Sequence, residues 1–565
     1  MTKRYKLLFF VLLVSISRVG FAQQTKPTDA PKAASISTVP ALPFKLSNEV
    51  KKAMDMVDSN QIRADVTYLA DDKLLGRAPG TPGYQMAVDY VVGRLKGLGV
   101  KPAGENGTWV QTVKFRKSLS SDGLMTIGGA TAELKKGTDY SISSNPSKAS
   151  VKVTAPLVFV GYGDSEPKLG YDDYAGVDVK GKIVVVVSGV PDKFSSSVAA
   201  HTRNRTTIMK AASDHGAIGV LVASVDTGGA ARGGRGGGGG ARPVNNIVDE
   251  NGKTVVSSVQ YGNIDVNGTL GAQLFNTLAQ KVGKNIKTIL SQLKAGTPNS
   301  FDLNITVNVS YTSTYQDMIS YNVVGMVEGT DPKLKKEYVV HSAHLDHLGV
   351  GRPVQGDSIY NGAHDNAVGT ASVLAIANIY KNIKVKPKRS IIFILMTGEE
   401  LGDMGSSYFA KHPTVPAGSM VADVNTDMPT IIAPLLSVTA LGAEHSSLAT
   451  QVAEAAGYLG LGVEDDPEPA QARFTRSDQY SFVVNGIPAL HIKYGAKTAD
   501  GKNNLNDFVA VWRAKYYHKP QDDINGIFDF RAGKTYAELN FLIGYLVAQD
   551  PNRPTWNKGD IFETN

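Results

Sequence analysis

Residues 389–400 read RSIIFILMTGEE. After Arg389 and Ser390, the six residues 391–396 form an apolar run without polar alternation, the pattern of a strand buried on both faces. Thr397 and Gly398 end the run, and two adjacent carboxylates, Glu399 and Glu400, follow. Outward from this strand, residues 338–340, 420–424 and 489–492 read as further short strands, and 367–380 as a helix. Strands alternating with helices predict an α/β domain: a mostly parallel mixed sheet with helices on both faces.

Metal-type residues gather behind these strands. His344 follows 338–340 in Ala343-His344-Leu345-Asp346-His347, Glu399 and Glu400 follow 389–396, and Asp427 follows 420–424. Asp365 precedes the helix, in Asn361-Gly362-Ala363-His364-Asp365-Asn366, and His518 follows Tyr517. Ligands of open α/β sheets collect outside the carboxyl ends of the strands, so several of these groups converge on one sheet edge. The chain has no cysteine, which removes thiolate ligands, disulfides and a nucleophilic Cys. Histidines and carboxylates suit one or two borderline cations, zinc first. Five ligands exceed what one catalytic zinc takes and suit a metal pair sharing a bridging carboxylate, for which Asp365, just ahead of a helix, is well placed.

The segments SAHLDHLG, NGAHDNAVGT, TGEELGDMGS, NTDM, RFTRSDQYSF and YYHKPQDD, in this order, resemble the co-catalytic zinc aminopeptidase family (metallopeptidase family twenty-eight). LLGRAPGTPG at 74–83, with a helix after it, resembles the region that opens the family's catalytic domain. The resemblance covers about 55–150 and 313–545. Between them, LVFVGYG and YDDYAGVDVKGKIVVVVSG resemble the protease-associated domain inserted in some members. It implies a zinc-exopeptidase fold with two zinc ions: His344 and Asp427 on one, Glu400 and His518 on the other, Asp365 on both. It also implies Glu399 as general base on the attacking water and Tyr517 as oxyanion donor. Asp346 would fix the His344 tautomer by a hydrogen bond to its ring. The implied activity is release of N-terminal amino acids from peptides. A carboxypeptidase, dipeptidase or glutaminyl cyclase on the same fold is the alternative, followed by a non-catalytic binding protein.

Residues 1–22 read as a signal peptide: Lys3, Arg4 and Lys6, an apolar run at 7–16, then Gly20-Phe21-Ala22. Ten apolar residues are too few to span a bilayer. Residues 23–45 are a linker by composition, 46–149 the first catalytic part, 150–312 the inserted β-rich domain and 313–565 the second catalytic part. Within the insert, 157–160, 183–187 and 218–223 read as strands and 207–215 as a helix. The glycine-rich segment 228–242 reads as a surface loop without a phosphate-binding pattern. Helical spacing runs through 55–69 and 84–98.

The formal charge of +7 falls to +3 without the four cations Lys3, Arg4, Lys6 and Arg18, and no basic run carries interleaved aromatics. Nucleic acid is therefore not an expected partner; peptides are. An exported, periplasmic or secreted bacterial protein, not inserted in a membrane once its leader is cleaved, fits the leader and the lack of cysteine. His364 reads as a rim residue, His341 and His491 as core histidines, and His347 as structural or at the entrance. Gln479 leaves the specificity of the pocket around 478–479 open, and Asp478 reads equally as a pocket residue or as a structural hydrogen-bonding group. His344-x-Asp346-His347 also matches part of a metallo-β-lactamase pattern, which leaves Glu399-Glu400 unexplained.

Overall fold

The computed structural model describes residues 46–128, 133–225 and 243–563. The expected leader, the linker and the glycine-rich segment 228–242 lie outside the described residues. The central strand, Ser390–Met396, is buried throughout. Its alternate residues serve two cores. Ile391, Phe393 and Leu395 pack with helices Ser59–Leu69, Pro82–Gly97, Val368–Asn382 and Phe530–Gln549. Ile392, Ile394 and Met396 pack with Phe409 and Phe482 from helices Met404–Lys411 and Gln479–Val483. A strand clad on both faces has no use for polar alternation, which is why the sequence shows none.

Ser390–Met396 runs parallel to Tyr338–His344, which runs parallel to Met420–Asn425, which in turn runs parallel to Ala489–Tyr494. Ser437–Leu441 adds an antiparallel edge, and Ser300–Val327 flanks the other side antiparallel. The molecule is a mixed α/β protein with a large, mostly parallel sheet and helices on both faces.

Two long strands carry the chain into the inserted body. Val110–Ile127 and Ser300–Val327 pair antiparallel from Val110 opposite Val323 to Ile127 opposite Val307. Residue 312 lies inside the second of them. In the insert, Ser150–Val160, Ile183–Val187, Gly219–Ala223 and Val266–Leu270 form a parallel run. Met125, Tyr140 and Ile142 share its core.

The helix expected over 55–69 is two helices, Asn48–Asp55 and Ser59–Leu69. Asp58 makes the break: its carboxylate accepts the amide of Asn60 at 2.8 Å, an N-cap that restarts the helix. Met56, counted as part of the apolar stripe, is 54% exposed. In 74–83 a tight turn over Asp72–Arg77 gives way to a loop, and Thr81 caps helix Pro82–Gly97. Among the described residues no helix is long and apolar enough to cross a membrane.

Candidate metal centre

Three neighbouring parallel strands end at the site. His344 is the last residue of Tyr338–His344, Glu399 and Glu400 lie three and four residues beyond Ser390–Met396, and Asp427 lies two beyond Met420–Asn425. Asp365 sits in the turn Ala363–Ala367 ahead of helix Val368–Asn382. Helix Leu505–Tyr516 stops at Tyr517, and His518 follows in a left-handed conformation, φ 55°.

The donor atoms form two groups joined by one carboxylate. His344 Nε2 lies 3.3 Å from Asp365 Oδ1 and 3.4 Å from Asp427 Oδ1. His518 Nε2 lies 3.2 Å from Asp365 Oδ2 and 3.4 Å from Glu400 Oε2. These separations exceed the ~2.7–2.9 Å of a charge-assisted hydrogen bond. They match the edge of a tetrahedron of ligands about 2.0–2.1 Å from zinc, which is about 3.3–3.4 Å. The donor set, with Asp365 between the two histidines, therefore suits divalent cations. The His344, Asp365 and Glu400 side chains are nearly buried, while that of His518 is 30% exposed, so the opening lies on the His518 side.

Electrostatics follow the crowding. Burial opposes charge on His344, yet Glu399, Asp365 and Asp427 hold its ring well above the usual histidine range. Burial likewise opposes ionisation of Asp365, but the facing rings of His344 and His518 hold it well below the carboxylate range. Glu399 has no such support. Burial pushes it well above the carboxylate range against the pull of His344. One of its oxygens lies within 4.8 Å of donor atoms of His344 and Asp427. A buried carboxylate beside the donor set, with its affinity for a proton raised, is placed to exchange one with a bound water when ionised.

Asp346 differs from the expectation. The Nδ1–H of His344 donates to the backbone carbonyl of Asp346 at 3.1 Å, and the Asp346 carboxylate accepts the amide of Glu399 at 3.2 Å. The turn after His344 brings the main chain nearer the ring than the side chain. The carbonyl can only accept, so Nδ1 keeps its proton, and Nε2 is the nitrogen that would give up its proton to a bound cation.

His364 is not on a rim. It is 1% exposed, stacks on Phe528 at 4.1 Å, and its Nε2–H donates to the Ile527 carbonyl at 3.0 Å. It sits inside the buried turn, one residue before Asp365, so the chain carries it inward. His341 and His491 are buried, and His491 Nε2–H donates to the Asp427 carbonyl at 2.9 Å. Gln479 accepts from Asn425 at 2.8 Å, and Asp478 is fully buried behind the site.

Several residues at the site are invisible to spacing arguments. His347 Nδ1 lies 2.7 Å from Glu400 Oε1. Asp522 accepts the amides of His364 at 3.0 Å and Asp365 at 3.1 Å, which holds the bridging turn. Lys493 is buried and donates to the carbonyls of Asp427 at 2.9 Å and Met428 at 3.1 Å. Asn366 ties the two arms together, donating to the Thr426 carbonyl at 2.9 Å and accepting the Met428 amide at 3.2 Å. His347, Asn366 and Asp522 lie within the segments quoted above, whereas nothing local in the sequence points to Lys493.

Residues 322–539 match the model of Peptidase family M28, and residues 153–265 match that of the PA domain. The chain is 31% identical over 183 residues to the probable lipoprotein aminopeptidase LpqL of Mycobacterium tuberculosis, 32% of each chain. It is 25% identical to leucine aminopeptidase 2 of Arthroderma otae, over 54% of this chain and 61% of that one. Carboxypeptidase Q of Xenopus laevis is 28% identical over 27% of this chain and 28% of its own. The chain thus spans less than two thirds of the length of these relatives. Among solved structures, the aminopeptidase from Aneurinibacillus sp. strain AM-1 is similar, with TM-score 0.43 and 20% identity, covering 89% of this chain and 97% of that one. The chain carries a PA domain at residues 153–265, followed by a Peptidase family M28 domain at residues 322–539.

Proposed function

We propose that this chain is an exported zinc exopeptidase that releases N-terminal residues from peptides. One observation carries the reading: the two oxygens of Asp365 divide between His344 at 3.3 Å and His518 at 3.2 Å, each histidine with a further carboxylate beside it. His344 and Asp427 would hold one zinc, Glu400 and His518 a second, and Asp365 both. Bound zinc supplies Lewis acidity, acidifying a water and polarising a carbonyl oxygen.

The residues do the rest. Glu399 accepts the proton of the attacking water and returns it to the leaving nitrogen, a task suited to a carboxylate pushed up by burial. Tyr517, whose phenol burial pushes up to about 12, stays protonated and donates to the oxyanion that develops on the scissile carbonyl. His344 is held in one tautomer by the Asp346 carbonyl, and the buried ligands keep bulk water to the His518 side. The relatives named as aminopeptidases support the choice of end. The relative named carboxypeptidase Q keeps the opposite end as the competing reading.

Purified protein carrying zinc should cleave a free-amine peptide and leave its N-acetylated form intact. Equal cleavage of both would remove the aminopeptidase reading, and cleavage of the acetylated peptide from its carboxyl end would favour the competitor. Fewer than one zinc per chain after mild purification would remove the paired-metal reading. Glu399→Gln should keep the metal and lose about 10²–10⁴ in kcat; near-normal turnover would dismiss Glu399 as the base. The leader at residues 1–22 supports export, and fractionation of cells making the full chain checks it.

A further inference from the structure

We propose that Arg513 is a positioning residue, clamping Tyr517 and His518 in their working orientation and joining that arm of the site to the Asp427 arm. The inference rests on the peptidase reading for the role of Tyr517, but the clamp itself stands on geometry.

Arg513 lies in the last turn of helix Leu505–Tyr516 and accepts the amide of Tyr517 at its carbonyl, 3.1 Å. Its guanidinium carbon is 3.7 Å from the centre of the Tyr517 ring, well inside the ~6 Å reach of a cation–π contact. The His518 ring stacks on the same phenol at 3.8 Å, with 25° between planes. Two flat groups this near one ring centre would collide on a single face, so they lie on opposite faces. Tyr517 is the middle layer of a three-layer stack whose outer layer, His518, points its Nε2 at Asp365 and Glu400.

The guanidinium also reaches the other arm. Its Nη1 donates to the sulfur of Met428 at 3.7 Å, and Met428 directly follows Asp427. Among the described residues, no ion pair forms between Arg513 and a carboxylate. An arginine half-buried without a counter-ion, flat against an aromatic ring, holds position by stacking rather than by charge pairing. The stack matters because helix Leu505–Tyr516 has already ended: Tyr517 and His518 sit in an irregular turn, with His518 at φ 55°. Without the clamp, the phenol and the imidazole would each regain rotamer freedom, and both require a fixed direction.

The test compares Arg513→Met, Arg513→Lys, Tyr517→Phe and the Arg513→Met/Tyr517→Phe double variant, all loaded with zinc. A leucyl p-nitroanilide is the substrate probe, and a chromogenic chelator follows zinc release. Arg513→Met should lower kcat about 10–100-fold, the range for residues that orient a metal site from outside it, with KM within about twofold. Zinc release should quicken at least about threefold. Arg513→Lys, which keeps the charge but cannot stack flat, should recover only part of the loss and guards against a folding failure in the methionine variant. In the Tyr517→Phe background, Arg513→Met should add no more than about a twofold loss in kcat. Unchanged kcat and zinc release, full rescue by lysine, fully multiplicative losses, or a rise in KM alone would each overturn the proposal. If the unsubstituted chain cleaves no peptide, the peptidase reading has failed, and zinc release alone still decides the clamp.

Discussion

Arg77 shows how much of a site can depend on one side chain that touches no ligand atom. It is 1% exposed, and its guanidinium donates to four backbone carbonyls, those of Leu69, Leu345, Asn361 and Gly362. Leu345 follows His344, and Asn361 and Gly362 lead into the turn of Asp365, so one cation holds two ligand-bearing loops. In the sequence, Arg77 lies in LLGRAPGTPG, where Gly and Pro announce a loop and nothing announces the partners. Three of its four acceptors are more than 260 residues away, so no local pattern could have revealed them. The metal-type residues were legible for the opposite reason: their chemistry is rare, and His344, Glu399, Glu400 and Asp427 fall right after recognisable strands. Arg77→Met keeps most of the apolar stem but strips four buried carbonyls of their donor, at about 1–3 kcal/mol each before relaxation. A net loss of about 3–5 kcal/mol and a weakened hold on zinc are expected. Thermal unfolding checks this, and a Tm within two degrees of the unsubstituted chain would show that water replaces the guanidinium at little cost.

Elements were legible where burial was complete. The expected strand 183–187 is Ile183–Val187, and 389–396 is Ser390–Met396, because an unbroken apolar run admits few alternatives. The starts and stops depend on caps, and Asp58 shows how one carboxylate divides a helical pattern in two. Helix Val368–Asn382 adds a conflict that propensity cannot see. Gly369 stands in its first turn, where alanine would ordinarily favour the helix by about 1 kcal/mol. A Cβ there would lie 2.1 Å from Asn366 Oδ1 and 2.4 Å from the Thr426 carbonyl. The Nδ2–H of Asn366 donates to that carbonyl, and the bond joins the Asp365 turn to the Asp427 arm. Gly369→Ala should therefore destabilise the protein by about 2–4 kcal/mol, reversing the sign that propensity gives. It should also loosen zinc, since the clash pushes the two arms apart. Denaturant unfolding with a parallel zinc-release measurement decides it; a gain in stability would mean that the helix start shifts freely.

At the scale of the whole molecule, the inserted body is tied to the catalytic sheet by more than the two long strands. Nδ1 of His201, in helix Ser196–Thr202, lies 2.7 Å from the hydroxyl of Tyr480, next to the buried Asp478-Gln479 pair. Lys168 donates to the carbonyl of Glu563 at 2.7 Å. Sequence reading found the insert from its strands but not this contact, since two surfaces far apart in the chain leave no shared pattern. Close to the same contact lies a group of acids that makes the insert sensitive to pH. Asp173 accepts the amides of Tyr162 and Asp164 and the hydroxyl of Tyr171, whereas Asp164 is 3% exposed and has an oxygen without a partner among the described residues. Burial, then the charges of Asp173 and Glu166, push Asp164 up to about 8. The folded chain thus keeps a proton that the unfolded chain releases near the usual aspartate value. Stability from this group is complete in acid, falls as pH rises from about 4 to about 8, and is flat beyond. Asp173, which burial pushes up to about 6, and Glu166, also raised, add slopes of the same sign at lower pH. Asp164→Asn removes the ionisation and nearly preserves the shape. It should raise Tm at pH 8 by an amount equivalent to about 1–3 kcal/mol and change little at pH 5. Melting curves at the two pH values, for both chains, isolate the effect from the neighbours; an equal shift at both would mean that Asp164 is already ionised in the folded protein.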